Sequence, residues 1–490
     1  MENTAKRLNT DIVAEYCANF KYEDIPEDVL RITKQVFLDT IGIMLGSVEL
    51  DKGIFGIELA EQMGGGSPEC TIVGTNKKVT ALAASYANGE LSHGLDADIL
   101  MAPCHMTSYM VSAVLAAAEK AHVSGKELLT ALVLGIDIAS RVGLSQGGFR
   151  VEATEETKKL SRAEQCAILN SYGMGCICFG GTVGVTHILN CNEDQIKDAL
   201  GHCGYILPEP SHQRFLFGPR PGNDKYSPAG WQNLVALASG MMGSMGILGD
   251  REIFDGRHAF WAMQGTPQRI ESWLTKDLGN YFAIRDVRYK YYPVDGVYQA
   301  LCNVTEAIVK ENNIKPEEIE NIHAHMEFLC PGYTNKKIEF STDAPASFYY
   351  CVSCAAHQIP VGPLWHMPET RNNPSILALM DRIDCEDDPA SDIARQKDME
   401  EGYTYINRRP ATVDITLKDG RFYTKSQEYM RFMSCGHPDY AMTNEQLEGK
   451  FRRNSEFTLT ADQQTKAIQA LWNLENLEDI SKDLMPLLVP

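Results

Sequence analysis

The 490-residue chain is short of positive charge: 45 Lys and Arg stand against 65 Asp and Glu, a formal balance of −20 at neutral pH. A field of that sign repels phosphate backbones and anionic lipid, so neither nucleic acid nor a membrane surface is an expected partner. Long apolar runs are scarce too. The longest, such as residues 128–139, are interrupted by Gly135 and Asp137 before the roughly 18 residues that a membrane span needs, and no such span is predicted. Residues 1–20 are polar and mixed in charge, without the apolar core of a signal peptide. The 14 cysteines are scattered rather than set in a disulfide framework, which fits a reducing, cytoplasmic setting.

Several catalytic signatures are missing. No nucleophile elbow, Walker sequence or zinc-protease His-Glu-x-x-His motif occurs, which removes the commonest hydrolase, NTPase and metalloprotease classes. Cys351-Val-Ser-Cys354 has the spacing of a metal or redox pair, but no second pair follows at useful spacing. Two half-buried cysteines one helical turn apart are expected there. Gly180-Gly-Thr-Val-Gly184 follows no strand, so it reads as close helix packing rather than a phosphate loop. No metal, cluster or organic cofactor is expected.

What remains is a globular composition, 44% hydrophobic and 22% charged, in a chain long enough for two to four domains at roughly 100–200 residues each. Over the first 260 or so residues, apolar runs of helical length alternate with Gly or Pro breaks: 27–45, 80–91, 108–121, 125–142 and 161–189. This half reads as an α-helical bundle packed on small residues. Near residue 270 the texture changes. Residues 281–292 are short and β-rich, 297–312 and 344–357 are helix-like, and 319–328 alternates with His323, His325 and Glu327 on one face. Residues 411–417 and 421–426 form a strand pair around the turn Lys418-Asp-Gly420. A second, α+β domain over about 270–430 follows, and helical periodicity returns at 447–457 and 461–487, so the tail can rejoin the bundle.

The informative stretch is Asn88-Gly-Glu-Leu-Ser-His93-Gly-Leu-Asp96-Ala-Asp98, followed by Pro103-Cys-His105-Met-Thr107-Ser108. Packing alone would use Asp96 and Ser108 as helix caps. The alternative is chemical: an imidazole and a carboxylate brought together at helix termini, where a histidine can act as acid or base near neutral pH.

At this stretch the chain resembles the MmgE/PrpD family of small-carboxylate dehydratases, decarboxylases and epimerases. The likeness continues in order through Glu119, Ser124-Gly-Lys-Glu-Leu, Ala131, Gly135 and Arg141. It recurs in Asp224-Lys225-Tyr-Ser-Pro-Ala-Gly230, Tyr289-Lys290-Tyr-Tyr-Pro293, Thr342-Asp-Ala-Pro-Ala-Ser-Phe-Tyr-Tyr350, residues 413–420, and Glu445-Gln-Leu-Glu-Gly-Lys-Phe451. The resemblance implies a mainly α protein: an all-helical bundle domain built from both chain ends (1–268 with 430–490) and an inserted α+β lid domain (269–429). It also implies a homodimer, and an active site for a small anionic carboxylate between the two domains.

The matching catalytic positions are Asp96, His105, Lys225, Lys290 and Tyr350. In such a site Lys225 and Lys290 supply charge for substrate carboxylates and for an enediolate. His105 moves the proton, Asp96 orients an imidazole or a lysine, and Tyr350 donates to the carbanion. The implied activity is a cofactor-independent lyase, of the hydro-lyase (dehydratase) type first and the decarboxylase type beside it, acting on a small di- or tricarboxylate through a carbanion or enediolate. An isomerase or epimerase, or a noncatalytic binding relative, are the alternatives. The chain departs from the pattern in a shortened loop between Asp96 and His105, in Leu100 or Met101 where a Thr is usual, in the polar stretch 147–159, and in Asn170 and Pro228 where histidines are usual. These departures imply a substrate diverged from those of the family's named reactions.

Overall fold

The computed structural model describes residues 7–64, 68–147, 155, 159–161, 164–165, 174–208, 212–218, 220, 222–224, 228–266, 269–327, 329–432 and 440–490. The protein is mainly α-helical with few strands. Its first helices are α1 (Asn9–Asn19), α2 (Glu27–Gly46), α3 (Asp51–Met63), α4 (Ala81–Gly94), α5 (Val111–Ala121) and α6 (Gly125–Ser145). A small antiparallel pair, β1 (Cys70–Thr71) and β2 (Lys78–Val79), lies between α3 and α4. Then come α7 (Cys178–Ile188), α8 (Glu193–Ile206) and α9 (Ala229–Ser244).

Local chemistry sets these ends. Glu27 and Asp28 place negative charge in the first turn of α2, against the positive end of its dipole. Ser124 begins α6 with a capping box, its hydroxyl accepting from the Glu127 amide while the Glu127 carboxylate accepts from the Ser124 amide at 2.8 Å. By length and composition α6 could cross a membrane, yet its apolar 18-residue window is entirely buried inside the protein. Gly135 and Asp137 lie within this helix rather than breaking it. Asp137 is tolerated there because Arg141 Nε stands 3.0 and 2.9 Å from its two oxygens. Arg141 also donates to the Lys276 and Tyr281 carbonyls, which fastens the segment after α9 to α6.

Helices α6 and α7 approach as closely as backbones allow. A Cβ on Gly180 would stand 2.1 Å from the Gly135 carbonyl oxygen, so the glycine run serves helix packing as expected.

The second sheet has the order β4-β3-β5-β6, with β3 (Ile319–Met326), β4 (Ile383–Asp387), β5 (Arg408–Leu417) and β6 (Phe422–Tyr429). Strand β3 runs parallel to β4 and antiparallel to β5. The β5–β6 hairpin turns at the expected Lys418-Asp-Gly420, where Gly420 has φ +88°. One face of the sheet is apolar, with Ile322, Ala324 and Met326 beside Val413 and Ile415. Helix α10 (Gln299–Glu311) packs on β5 and β6 and on α11 (Phe348–Ala356). Strand β4 has no counterpart among the sequence expectations.

Three expectations are corrected. Residues 281–292 are not a strand: a 3₁₀ turn, Ala283–Asp286, is followed by one isolated bridge between Leu100 and Arg288. Cys351 and Cys354 do share one helical turn of α11, but both are fully buried rather than half-buried. The tail 461–487 is not one helix. After α12 (Asn444–Ser455) comes α13 (Ala461–Trp472), and short turns then follow because the chain is pinned to the α5–α6 connection, Gly125 donating to Leu477 and Ile480 to Val123. Helix α12 itself packs on α2, where a Cβ on Gly42 would lie 3.1 Å from the Phe451 ring.

Candidate active site

The site is built where α4 ends. His93 lies in its last turn, and the chain then turns back through Asp96, held at φ +49°. Neither Asp96 nor Ser108 caps a helix: Ser108 lies in the 3₁₀ turn Thr107–Tyr109, and α5 starts without a side-chain cap. The intervening loop is held from two sides. The bridge between Leu100 and Arg288 is a pair of backbone hydrogen bonds of 2.8 and 2.9 Å. From the C-terminal side, Lys450 of α12 donates to the Ala97 carbonyl at 2.7 Å while pairing with Asp39 of α2, also at 2.7 Å.

Asp98 is the hub. Its Oδ2 lies 3.1 Å from His93 Nδ1, 3.0 Å from His105 Nδ1 and 2.7 Å from Ser108 Oγ, and all of these groups are buried. A carboxylate accepts only, so both rings turn an Nδ1–H toward it, with Nε2 on the far side of each ring. His93 Nε2 faces the Tyr109 hydroxyl at 3.3 Å. Burial opposes charge on His105, but Asp98 and the neighbouring Cys104 outweigh it and lift the imidazole to about 9. Asp98 shows the reverse: burial would raise its carboxyl, but His105 and His93 hold it well below the usual carboxylate range.

The Leu100–Arg288 bridge brings Lys290, two residues further on, to the same place. Lys290 Nζ donates to Asp96 Oδ1 at 2.6 Å and to the Asp96 carbonyl at 3.1 Å, and it lies 3.9 Å from Asp98 Oδ1. Burial alone would lower its pKa. Asp96, Asp98 and Asp295 together more than compensate and raise it above an ordinary lysine.

Of the five sequence candidates, the structure therefore brings Asp96, His105 and Lys290 together. Tyr350 is fully buried in α11, where its hydroxyl donates to the Trp365 carbonyl at 2.6 Å. Lys225 and Asn170 lie outside the described residues. The segment beside Lys225 is anchored by Lys52, which pairs with Glu90 and donates to the Asn223 carbonyl at 2.8 Å. Pro228 immediately precedes α9.

Asp98, His93, Cys104 and Lys450 were not singled out as site residues, although all four stand inside the quoted motifs. Cys104 Sγ lies 3.6 Å from the Tyr405 hydroxyl. Burial would raise its thiol, but His105, Tyr405 and Lys290 bring it below its ordinary value. His93, Asp98 and His105 could in principle hold a metal ion. A cation there would compete with the Ser108 hydrogen bond and stand beside the Lys290 ammonium, so the donors fit a hydrogen-bonded acid–base centre better.

A buried imidazole–carboxylate pair stands next to a buried ammonium, on loop segments held among the helices of a mainly α protein. The profile of the MmgE/PrpD N-terminal domain matches residues 11–272 and that of the C-terminal domain matches 292–476, and the chain belongs to this family. Among curated relatives, the cis-aconitate decarboxylase of Mus musculus is 23% identical over 96% of this chain and 92% of its own length. That of Homo sapiens is also 23% identical, over 96% and 93%. The cis-aconitate decarboxylase of Aspergillus terreus is 26% identical over 41% of this chain and 39% of its own.

Proposed function

We propose that this protein is a lyase, needing no cofactor, that acts on a small di- or tricarboxylate through a carbanion or enediolate. The observation that carries the reading is the convergence of His105, fixed by Asp98, with Lys290, fixed by Asp96, in one buried centre. Low dielectric strengthens the attraction of Lys290 for negative charge that develops next to a substrate carboxylate. His105, raised to about 9, carries a proton at neutral pH and is therefore an acid at the start of the reaction.

An acid is what a lyase needs here. In decarboxylation the bond to CO₂ breaks, the electron pair stays on carbon, and Nε2–H of His105 delivers the proton to it. In dehydration the same proton would assist departure of hydroxide as water, but a base must also take the proton from the neighbouring carbon, as in epimerisation, and the protonated His105 is not that base. Decarboxylation therefore ranks first among the lyase outcomes, and epimerisation stays the second reading.

Within this proposal Asp96 positions Lys290, and Lys225 adds charge for a second carboxylate on the strength of the family resemblance. Tyr350, held by Trp365, shapes the wall of α11 rather than giving up its proton. The decarboxylase relatives make cis-aconitate the first substrate to try. The decisive experiment is proton–deuterium exchange followed by NMR over a panel of di- and tricarboxylates, with CO₂ release monitored in parallel. Exchange or CO₂ release with at least one of them is expected. Complete inertness of folded protein toward the panel would leave the noncatalytic reading in its place.

A further inference from the structure

The outward face of the second sheet carries another cluster of chemistry-bearing side chains, sharing no residue with the site above. Strand β3 alternates, so with Ile322, Ala324 and Met326 turned to the core, His323 and His325 stand together on the other face. Register places Asp384 and Glu386 of β4 beside His323 and His325, and Asp414 of β5 across from His323. The two rings are 4.7 Å apart at 85°.

Each imidazole divides its nitrogens in the same way. His323 turns Nε2 toward Glu386 Oε1 at 3.9 Å while Nδ1 pairs with Asp384. His325 turns Nδ1 toward the same Glu386 oxygen at 3.0 Å while Nε2 faces Asp414 Oδ2 at 3.5 Å. One nitrogen of each ring thus points to a shared centre, and the other is held by a separate carboxylate.

We propose that His323, His325 and Glu386 bind a single divalent transition-metal ion, Zn²⁺ being the best match, with Asp384 and Asp414 orienting the two imidazoles. A tetrahedral Zn²⁺ with its donors at about 2.1 Å holds them roughly 3.4 Å from one another. The separations of 3.0 and 3.9 Å from Glu386 Oε1 fall either side of that value, and the three donor atoms all lie within 4.8 Å of each other. Small side-chain rotations on a rigid strand pair would close the site. Two imidazoles and one carboxylate suit Zn²⁺ and its neighbours in the first transition row, whereas Mg²⁺ and Ca²⁺ prefer oxygen throughout.

The outer carboxylates complete a pattern that tunes metal-bound histidine: accepting from the far nitrogen fixes the tautomer and raises the donor strength of the near one. Charge points the same way. With neutral imidazoles, Asp384 and Glu386 on β4 and Asp414 on β5 place three negative charges on the two strands that flank β3, and a divalent cation among them relieves that repulsion. Three protein donors leave a fourth position for water, the arrangement of an open site.

The test uses tag-free, chelator-treated full-length protein, titrated with Zn²⁺ by calorimetry and with Co²⁺ by visible absorption. One Zn²⁺ per chain is expected, with a Co²⁺ adduct showing ligand-field bands of a low-coordinate site. His323→Ala, His325→Ala and Glu386→Gln should each weaken binding at least 100-fold, and Asp414→Asn about tenfold, the scale for losing an outer partner. Circular dichroism and unfolding midpoints identify which variants keep the fold, and any one folded variant of the three decides the matter. Absence of Zn²⁺ binding by the parent protein overturns the proposal. So does binding that these variants leave unchanged, which would move the ion to His93, Asp98 and His105.

Discussion

Asp98 Oδ2 and His105 Nδ1 stand 3.0 Å apart with both groups buried, and this pairing sets the tautomer, the orientation and the charge of the imidazole together. The proton on Nδ1 faces the carboxylate, so Nε2 is the atom that exchanges a proton with a substrate.

On the proposed reaction, His105→Ala should therefore lower kcat by about 10²-fold or more, the usual scale for removing a general acid. Substrate affinity should change much less, because Lys290 and its Asp96 partner stay in place. Steady-state turnover paired with calorimetric binding separates the two effects. Near-parental kcat in a folded His105→Ala would move the proton-transfer role to another group.

Asp98→Asn addresses the same atom through its pKa. Without the carboxylate, burial prevails and the imidazole falls from about 9 to below its ordinary value. Activity that needs His105 protonated should then be lost at lower pH, so the alkaline limb of kcat/KM should move down from near pH 9 in the variant. A pH profile with an unmoved alkaline limb would detach that limb from His105.

The pairing also bears on stability. His105 is raised in the folded state above 6.5, so its contribution is complete below pH 6.5 and disappears as pH rises through about 9. A rise of that size corresponds to about 3 kcal/mol, shared with Asp98 rather than additional to it. Urea midpoints measured from pH 6 to 10 should fall across this window in the parent, and far less in Asp98→Asn.

Much of the fold was legible because helix signals are local. The run 27–45 became α2 and the run 125–142 became α6, whose start the structure shows held by a Ser124–Glu127 capping box. The hairpin was legible from Lys418-Asp-Gly420. Strand β4 was not: Ile383–Asp387 reads IDCED, with only Ile383 buried, and takes its form from pairing with β3. Residues 281–292 misled because their aromatics fill the core around Arg288 and Lys290 without a partner strand, and β propensity reflects packing surroundings more than backbone preference.

The site was legible in part for a similar reason. Asp96 and His105 lie within one short stretch, and the resemblance supplied Lys290. Asp98 looked no different from Asp96 until the loop was folded, and Lys450 reaches Ala97 across 353 positions of sequence. Several residues that carried the resemblance prove structural. Asn88 accepts from the Val73 amide, Glu119 accepts from Thr71, and Arg141 ties three backbone carbonyls to α6.

Gly180→Ala should destabilise the helical core without touching the site. Its methyl would stand 2.1 Å from the Gly135 carbonyl oxygen, so α6 and α7 must separate, at a cost of about 1–3 kcal/mol. Denaturant unfolding measures it, and an unchanged midpoint would mean that the two helices yield more easily than their contact implies.

The Asp39–Lys450 pair gives the last expectation, because it joins α2, α12 and the site loop at one buried point. Burial dominates both partners, raising Asp39 to about 6 despite Lys450 and lowering Lys450 despite Asp39. Lys450→Ala leaves Asp39 without its cation and the Ala97 carbonyl without its donor, which should cost about 3–5 kcal/mol. Asp39 in the variant is an acid whose folded pKa lies further above its unfolded value. Its destabilisation thus grows as pH rises through the unfolded value of 3.8 toward the folded one, so the loss relative to the parent should be larger at pH 8 than at pH 5. Asp39→Leu combined with Lys450→Met removes both charges and should recover most of the stability, though not the hold on Ala97. Denaturant midpoints of the three proteins at the two pH values test this, and a pH-independent loss in Lys450→Ala would show that the missing packing, not the stranded carboxylate, is the cause.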